Sequence, residues 1–232
     1  MKKKDFGHAF LAYTRLVVGQ PLPKNGRRTP TAKVYASPLE TIDLPPPRKS
    51  GGPQTWRLMA QLEPQPPQTQ ITLQLTDLAQ IFLPLADRDG KRGYLSSSGS
   101  YPVEAYLLAR RVQDIFPGVY HYAVKANQLE QIAPGPDWEE WQEALAKAPG
   151  AAQAGAYLVL TAVPARSVSR QGARGYRQAL LEAGKVSHAV FTAAVAMGLA
   201  ACEAELFYDE KVARSLGLPE GEYPLVVMAL GR

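Results

Sequence analysis

The segment RGYRQALLEAGKVSHAVFTAAVAMGL, opening at Arg174, constrains the fold more than any other stretch of this chain. It is long, rich in Ala, Leu and Gly, and carries few charges after Lys185. Alanine and leucine favour helix, and a helix with so little polar surface must bury most of its sides. The expectation is a long central helix, suited to an interface between two copies. AYLVLTAVP, residues 156–164, is a continuous apolar run, as expected of a strand covered on both faces.

The remaining elements are mixed in order. Residues 5–18 predict a short helix with one apolar side. Thr76 is placed to cap a helix through TDLAQIFLPLA, ended near Pro84. VEAYLLARRV (103–112) has strand composition, and PGVYHYAV and NQLEQI read as two strands joined by a turn at Lys125–Asn127. DWEEWQEALAKAPG is an amphipathic helix with an Asp137 cap and a Pro-Gly stop. YDEKVARSLGL predicts a further helix, and EYPLVVMALGR a closing apolar strand. Helices and strands do not alternate, which favours an α+β fold over a doubly wound sheet.

Between Gly19 and Gln70 the character changes. PLP, LPPPRKSGGP and LEPQPPQTQ withdraw amide donors and fix φ, so long regular elements are not expected there. Tyr35, Ile42, Leu44, Trp56, Leu58 and Met59 are spaced through the stretch and predict an extended arm pinned to a surface, of the kind that wraps a partner subunit. The division is an N-terminal helix and proline-rich arm over residues 1–70, then a domain over 71–232.

With 46% hydrophobic and 20% charged residues, the chain of 232 can bury a core. A single cysteine, Cys202, excludes an internal disulfide framework and a multi-thiolate zinc site. The start Met1-Lys2-Lys3-Lys4-Asp5 is basic, but His8, Tyr13 and Arg15 interrupt the apolar core of a signal peptide. No run approaches the roughly 20 apolar residues of a membrane span, so a cytoplasmic protein is expected. The net charge of +5 is scattered, and no recognition-helix, RRM or zinc-finger pattern accompanies it, so no nucleic-acid partner is expected.

Signatures for dinucleotide, nucleotide, esterase and zinc-protease chemistry are absent. His8, His121 and His188 lie in separate elements without partners at ligand spacing, and read as structural with no metal site. Glu139, Glu140 and Glu143 form a solvated helix face. Two constellations remain. RGYLSSSGSYPVEAY offers serine hydroxyls and open amides beside Arg92, and can equally be a surface loop. In ARSVSRQGARGYRQALLEAG, Arg166, Arg170, Arg174 and Arg177 precede or open a helix whose N-terminus favours anions.

Taken in order, SSSGSYPVEAYLLARR, PGVYHYAVKANQLEQI, LVLTAVPAR, GARGYRQALLEAGKVSHAVFTAAVAMGLA and LGLPEGEYPLVVMALG resemble the SagB-type dehydrogenases of the nitroreductase superfamily. The resemblance covers residues 71–232. It implies a nitroreductase-like fold, a mixed or antiparallel sheet flanked by helices, and a homodimer with FMN at the subunit interface. It also implies two-electron chemistry done by the flavin on a peptide-borne or small-molecule substrate. Ser97, Ser98, Gly99, Tyr101 and Pro102 would then line the flavin, with Arg177, Gly198 and Leu199 completing the pocket and Arg232 near the phosphate.

The sequence departs from the family at two places. Where an R-x-S-x-R phosphate clamp is expected, it has MAQLEPQPPQT, and Arg57 or Arg92 is the nominated substitute. Where azoline-oxidising members carry a Lys-Tyr pair, it has Arg170-Gln171. The family's EAGHxxQN reads EAGKVSHA, which nominates Lys185 or His188 as proton donor. Two readings stay open: an FMN-dependent oxidoreductase with altered substrate choice, and a flavin-free homodimer that binds a peptide or partner enzyme.

Overall fold

The continuous apolar runs become the central strands of a single sheet. The computed structural model describes residues 5–19, 21–23, 26, 29–68, 71–146, 148 and 150–232. Lys2–Lys4 of the basic start and Pro149 of the Pro-Gly stop lie outside the described residues. Helix α1 (Phe6–Tyr13) leads into the arm, which contributes strand β1 (Glu40–Asp43) and helix α2 (Thr55–Ala60). Then come α3 (Leu75–Phe82), the strands β2 (Val103–Ala109), β3 (Gly118–Ala123) and β4 (Gln128–Pro134), and α4 (Trp138–Ala144). The chain continues through β5 (Ala156–Ala162), α5 (Ala165–Gln171) and the long α6 (Arg174–Ala196). It closes with β6 (Ala200–Glu203), α7 (Asp209–Ser215) and β7 (Tyr223–Gly231).

The seven strands run in the order β1-β4-β3-β2-β5-β7-β6, and every neighbouring pair is antiparallel. All seven residues of both β2 and β5 are buried. The period-two alternation of a strand divides their side chains between two cores. Leu107, Leu158 and Leu160 join Val186, Val190 and Phe82 beneath α3 and α6. Tyr106, Leu108, Tyr157 and Val159 join Trp141, Val212 and Leu216 beneath α4 and α7. Each fully buried aliphatic side chain contributes roughly 1.5–3 kcal/mol, so covering both faces is what makes β5 apolar throughout.

Helix α6 differs from expectation on one side. Val186, Val190 and Ala194 face the sheet, while Tyr176, Leu180, Leu181, Lys185 and His188 are exposed. It is therefore half-covered in one chain. The junction before it needs glycine. Gly172 ends α5 at φ 57°, ψ −149°, a conformation open essentially to glycine alone. A Cβ on Gly175 would lie 2.3 Å from the Val168 amide nitrogen, so the α5–α6 elbow closes only around a bare α-carbon.

Capping follows the sequence at one helix and departs from it at another. Asp137 accepts the Glu139 and Glu140 amides at 2.8 and 3.1 Å, a cap worth about 1 kcal/mol. Helix α3, however, starts one residue before Thr76. Its cap is Gln74, whose amide donates to Asp77 Oδ2 at 2.9 Å. An ionised carboxylate in the first turn is a stronger acceptor there than the Thr76 hydroxyl.

The arm is anchored at its front half. β1 pairs with β4, Leu39 donates to Gln131 O, and Leu44 is buried. Trp56, expected to pin the arm, is 82% exposed, and Met59 is also exposed. Leu58, between them on α2, is half-buried and lines the cleft described below.

Candidate functional site

The nominated residues fall into two separate places. At the C-terminal end of α6, residues 46–53 of the arm fold over the first turn of α3 and enclose a cleft of about 570 Å3. Arg48, Lys49, Ser50, Thr76 and Arg232 supply its polar wall, and Ala196 and Met197 its apolar one. Gln80 fixes the backbone of Arg48 from both sides, accepting its amide at 2.9 Å and donating to its carbonyl at 3.3 Å. Arg232 Nη2 lies 2.9 Å from each oxygen of Asp77. Gly198 (φ 71°) and Leu199 follow the helix end, with the Leu199 amide returning to Ala194 O. Neither Arg57 nor Arg92 lines this cleft. The cations there are Arg48 and Lys49 beside Arg232, contributed by an arm segment remote in sequence from the position of the family's clamp.

The serine-rich turn lies far from that cleft. Ser97 contacts α6 at Glu182, and from Glu182 to Met197 the helix rises roughly 22 Å at about 1.5 Å per residue. Ser98, Gly99 and Tyr101 all have positive φ, at 57°, 58° and 44°. This geometry is held from several directions. Ser96 Oγ accepts the Tyr101 amide at 2.9 Å, Ser100 and Ser167 share a hydroxyl hydrogen bond of 2.9 Å, and Pro102 O accepts the Val163 amide. Arg170 donates to Ser98 O at 2.6 Å, and Gln171 Nε2 donates to the Ser97 and Ser98 hydroxyls at 2.7 and 3.0 Å. The pair standing where the family has Lys-Tyr thus clamps the turn.

Glu182 is the distinctive group behind this turn. It is 1% exposed, its Oε2 accepts the Ser97 amide at 3.3 Å, and its Oε1 has no hydrogen-bond partner among the described residues. Burial pushes its carboxyl up to about 7, against the hydrogen bonds from Ser96 and Ser97 and the charges of Lys185 and Arg92. Neighbouring Tyr94 is raised as well, again by burial. Lys185 and His188 are exposed on the solvent side of α6, and Lys185 Nζ lies 3.5 Å from Leu95 O, at the edge of the same turn. Arg177 joins neither place; it binds Leu11 O and Thr14 Oγ1 of the N-terminal helix.

Beneath the opposite face of the sheet lies a polar network that separation along the chain hides. Glu104 is 0% exposed and receives Arg166 Nη2 at 2.5 Å, His121 Nε2 at 3.0 Å and the Lys33 amide at 2.8 Å. His121 Nδ1 meets Glu130 at 2.9 Å. Burial would push Glu104 up, but the His121 hydrogen bond and the Arg166 charge outweigh it and bring the carboxyl down to about 2. Lys33 Nζ pairs with Glu222, which also accepts from Tyr106 and Thr161. His121, read from sequence as lacking carboxylate partners, therefore has two, Glu104 and Glu130. Arg166, counted among possible anion binders, is consumed in this network. Among the described residues no group of His, Cys, Asp and Glu is arranged to hold a metal ion, and no helix is long and apolar enough to cross a membrane.

An antiparallel sheet covered on both faces, with a long half-exposed helix, a polar cleft at that helix's C-terminal end and a serine-rich turn against Glu182, defines an α+β scaffold of nitroreductase type. The nitroreductase family model matches residues 61–232, and the chain belongs to that family. It is 29% identical over 163 residues to a Methanocaldococcus jannaschii protein named as a nitroreductase, MJ1384, covering 69% of this chain and 81% of that one. Similar solved structures include a nitroreductase-type protein of Ralstonia eutropha, with TM-score 0.66, 18% identity and coverage of 93% and 96%. Another comes from Anabaena variabilis, with TM-score 0.70 and 20% identity; it covers 83% of this chain, which spans only 41% of that longer one. The third is in the Escherichia coli microcin synthetase McbBCD complex bound to truncated pro-MccB17, with TM-score 0.63, 22% identity and coverage of 87% and 84%. At these identities the structures speak to fold. Members of the family typically use FMN and are commonly homodimers.

Proposed function

We propose that this protein is a cytoplasmic FMN-dependent oxidoreductase of the SagB-type branch, working as a homodimer. The observation that carries the reading is the separation of the nominated residues into two sets roughly 22 Å apart along α6. An isoalloxazine ring cannot touch both sets in one chain. A second copy, packed on the exposed Tyr176, Leu180 and Leu181 face of α6, would bring one chain's serine turn to the other's helix end.

The residues of the helix-end cleft fit the cofactor's phosphate. Arg48, Lys49 and Arg232 against Asp77 leave two positive charges for a doubly charged group, and Ser50 and Thr76 add hydroxyls. FMN, when bound, supplies two-electron transfer, and the protein supplies position and protons. Gln80 holds the Arg48 backbone ready, so the cation needs little ordering when an anion arrives. Ser97–Gly99 present backbone atoms from a rigid turn, and Ala196 and Met197 supply the apolar edge; Gly198 and Leu199 do not line the cleft, and Leu199 is buried in the core. Lys185 Nζ and the His188 imidazole are the exposed proton carriers on the α6 face, and Glu182 stands behind them with an oxygen unpartnered among the described residues. A peptide-borne substrate is favoured by the SagB-type motifs and by the likeness to a chain of the microcin synthetase complex bound to truncated pro-MccB17.

A second reading, a flavin-free scaffold that binds a peptide or partner enzyme, is favoured by Asp77 occupying Arg232 and by Arg170-Gln171 in place of Lys-Tyr. Visible absorbance after FMN loading and desalting separates the two. Retained bands near roughly 370 and 450 nm support the oxidoreductase, and a colourless dimer supports the scaffold.

A further inference from the structure

The serine turn has a second side that the flavin reading leaves unused. There the turn, the 87–92 hairpin, the arm at Thr29–Thr31 and Lys125 enclose a cleft of about 590 Å3. Its lining carries four cations, Lys91, Arg92, Lys125 and Arg170, and one carboxylate, Asp87. Asp87 Oδ1 is engaged by the Gly90 amide at 2.7 Å. None of the four cations forms an ion pair with a carboxylate of the described residues.

Arg92 makes the cleft more than a basic surface. Arg92 as a whole is 8% exposed, yet its guanidinium binds only neutral groups: Tyr94 Oη and Val103 O at 3.2 Å and Thr31 O at 2.6 Å. Its flat face rests on the Tyr101 ring, 4.7 Å from the centroid. Glu182 feels its charge, but the two are not among the ion pairs of the described residues. A buried cation held only by neutral dipoles is costly, and an anion entering the cleft would relieve that cost. The opposite face of the sheet shows how the fold settles such a charge when it is purely structural, since buried Arg166 is given Glu104.

We propose that this cleft binds an anionic group, a carboxylate or phosphate, carried by the substrate. Arg92 and Arg170 are its fixed donors, and Lys91 and Lys125 draw the anion in. Identifying the anion as the substrate's rests on the oxidoreductase reading; the anion site itself does not. Arg170 links the two sides of the turn, because its Nη1 holds Ser98 O from within the cleft. An anion drawn to Arg170 would therefore sit against the same turn that faces the flavin.

Calorimetric titration of the full-length protein at low ionic strength, with inorganic phosphate and separately with succinate, tests this. The wild type is expected to bind one or both, and Lys91→Ala/Lys125→Ala to bind roughly tenfold more weakly with an unchanged thermal midpoint. Preference for phosphate indicates a phosphorylated substrate, and preference for succinate a carboxylate. Arg92→Gln is expected to abolish binding; should it misfold, the lysine pair decides. No binding to the wild type, or equal binding to the double variant, overturns the proposal. FMN fluorescence quenching on the same proteins separates the two readings. Parallel loss of FMN affinity in the double variant overturns the proposal, because the cleft would then be the flavin's own phosphate site. Anion binding without any FMN binding would sink the oxidoreductase reading and leave the anion site standing.

Discussion

Glu104 and Glu182 are almost equally buried, on opposite faces of one sheet, and they titrate in opposite directions. Glu104 meets a guanidinium, an imidazole and a backbone amide, and its carboxyl falls to about 2. Glu182 has only neutral hydrogen-bond partners, Ser96 and the Ser97 amide, with Oε1 unmet among the described residues, and its carboxyl rises to about 7. The contrast teaches that burial alone does not set a carboxylate's charge; its partners do. A satisfied network of this kind holds the arm in place. A half-satisfied carboxyl beside a strained turn is poised to exchange a proton near neutral pH.

The largest expected effect breaks the structural side of the comparison. Glu104→Gln leaves Arg166 buried without its counter-charge and is expected to cost roughly 3–5 kcal/mol in urea unfolding. Pairing it with Arg166→Met should recover much of that loss, and simple addition of the two costs would contradict the picture.

Next in size is the pH dependence, in which the two glutamates carry opposite signs. The folded-state value of Glu104 is depressed, so its contribution is present above the ordinary 4.5 and is lost as pH falls toward about 2. That of Glu182 is raised, so the protein loses stability as pH rises from 4.5 to about 7. Glu182→Gln should therefore gain up to about 3 kcal/mol above pH 7 and little below pH 4.5. Identical pH–stability curves for variant and wild type would remove Glu182 from the argument.

A smaller effect sharpens the account of the arm. Gln80→Ala frees the Arg48 backbone and should cost about 1 kcal/mol or less of stability, while weakening FMN binding more than it lowers the thermal midpoint. Smallest is Lys185→Met. It removes one of the charges that holds Glu182 down, so the carboxyl midpoint followed by carbon NMR should move a little further above 7. Movement the other way would mean that Lys185 does not face Glu182 in solution.

The two clefts also explain why the site was only half legible in the sequence. Ser97–Tyr101 stood out because serine and glycine cluster before an apolar strand, and the turn lies where that pattern places it. Arg48 and Lys49 did not, because RKSGGP looks like any proline-bounded basic loop until the arm folds it over α3. The short edge strands β1 and β6 and the helix α5 were missed for a related reason. ETID and AACE have no run long enough for periodicity to register, and ARSVSRQ reads as a string of arginines until Gly172 separates it from α6.

Periodicity and apolar run length by themselves determined α6, the double burial of β5 and the β3–β4 hairpin, because these depend on local spacing and on how much apolar surface a segment must hide. Motifs such as YPVE and PGVYHY marked the family, yet their Glu104 and His121 meet each other only when β2 and β3 pair. Which carboxylate finds a counter-ion, which arginine stays unpaired and which face of α6 remains open were decided by tertiary structure alone. Electrostatic partners are chosen by distance in space, and residues far apart along the chain carry no local signal of where they will meet.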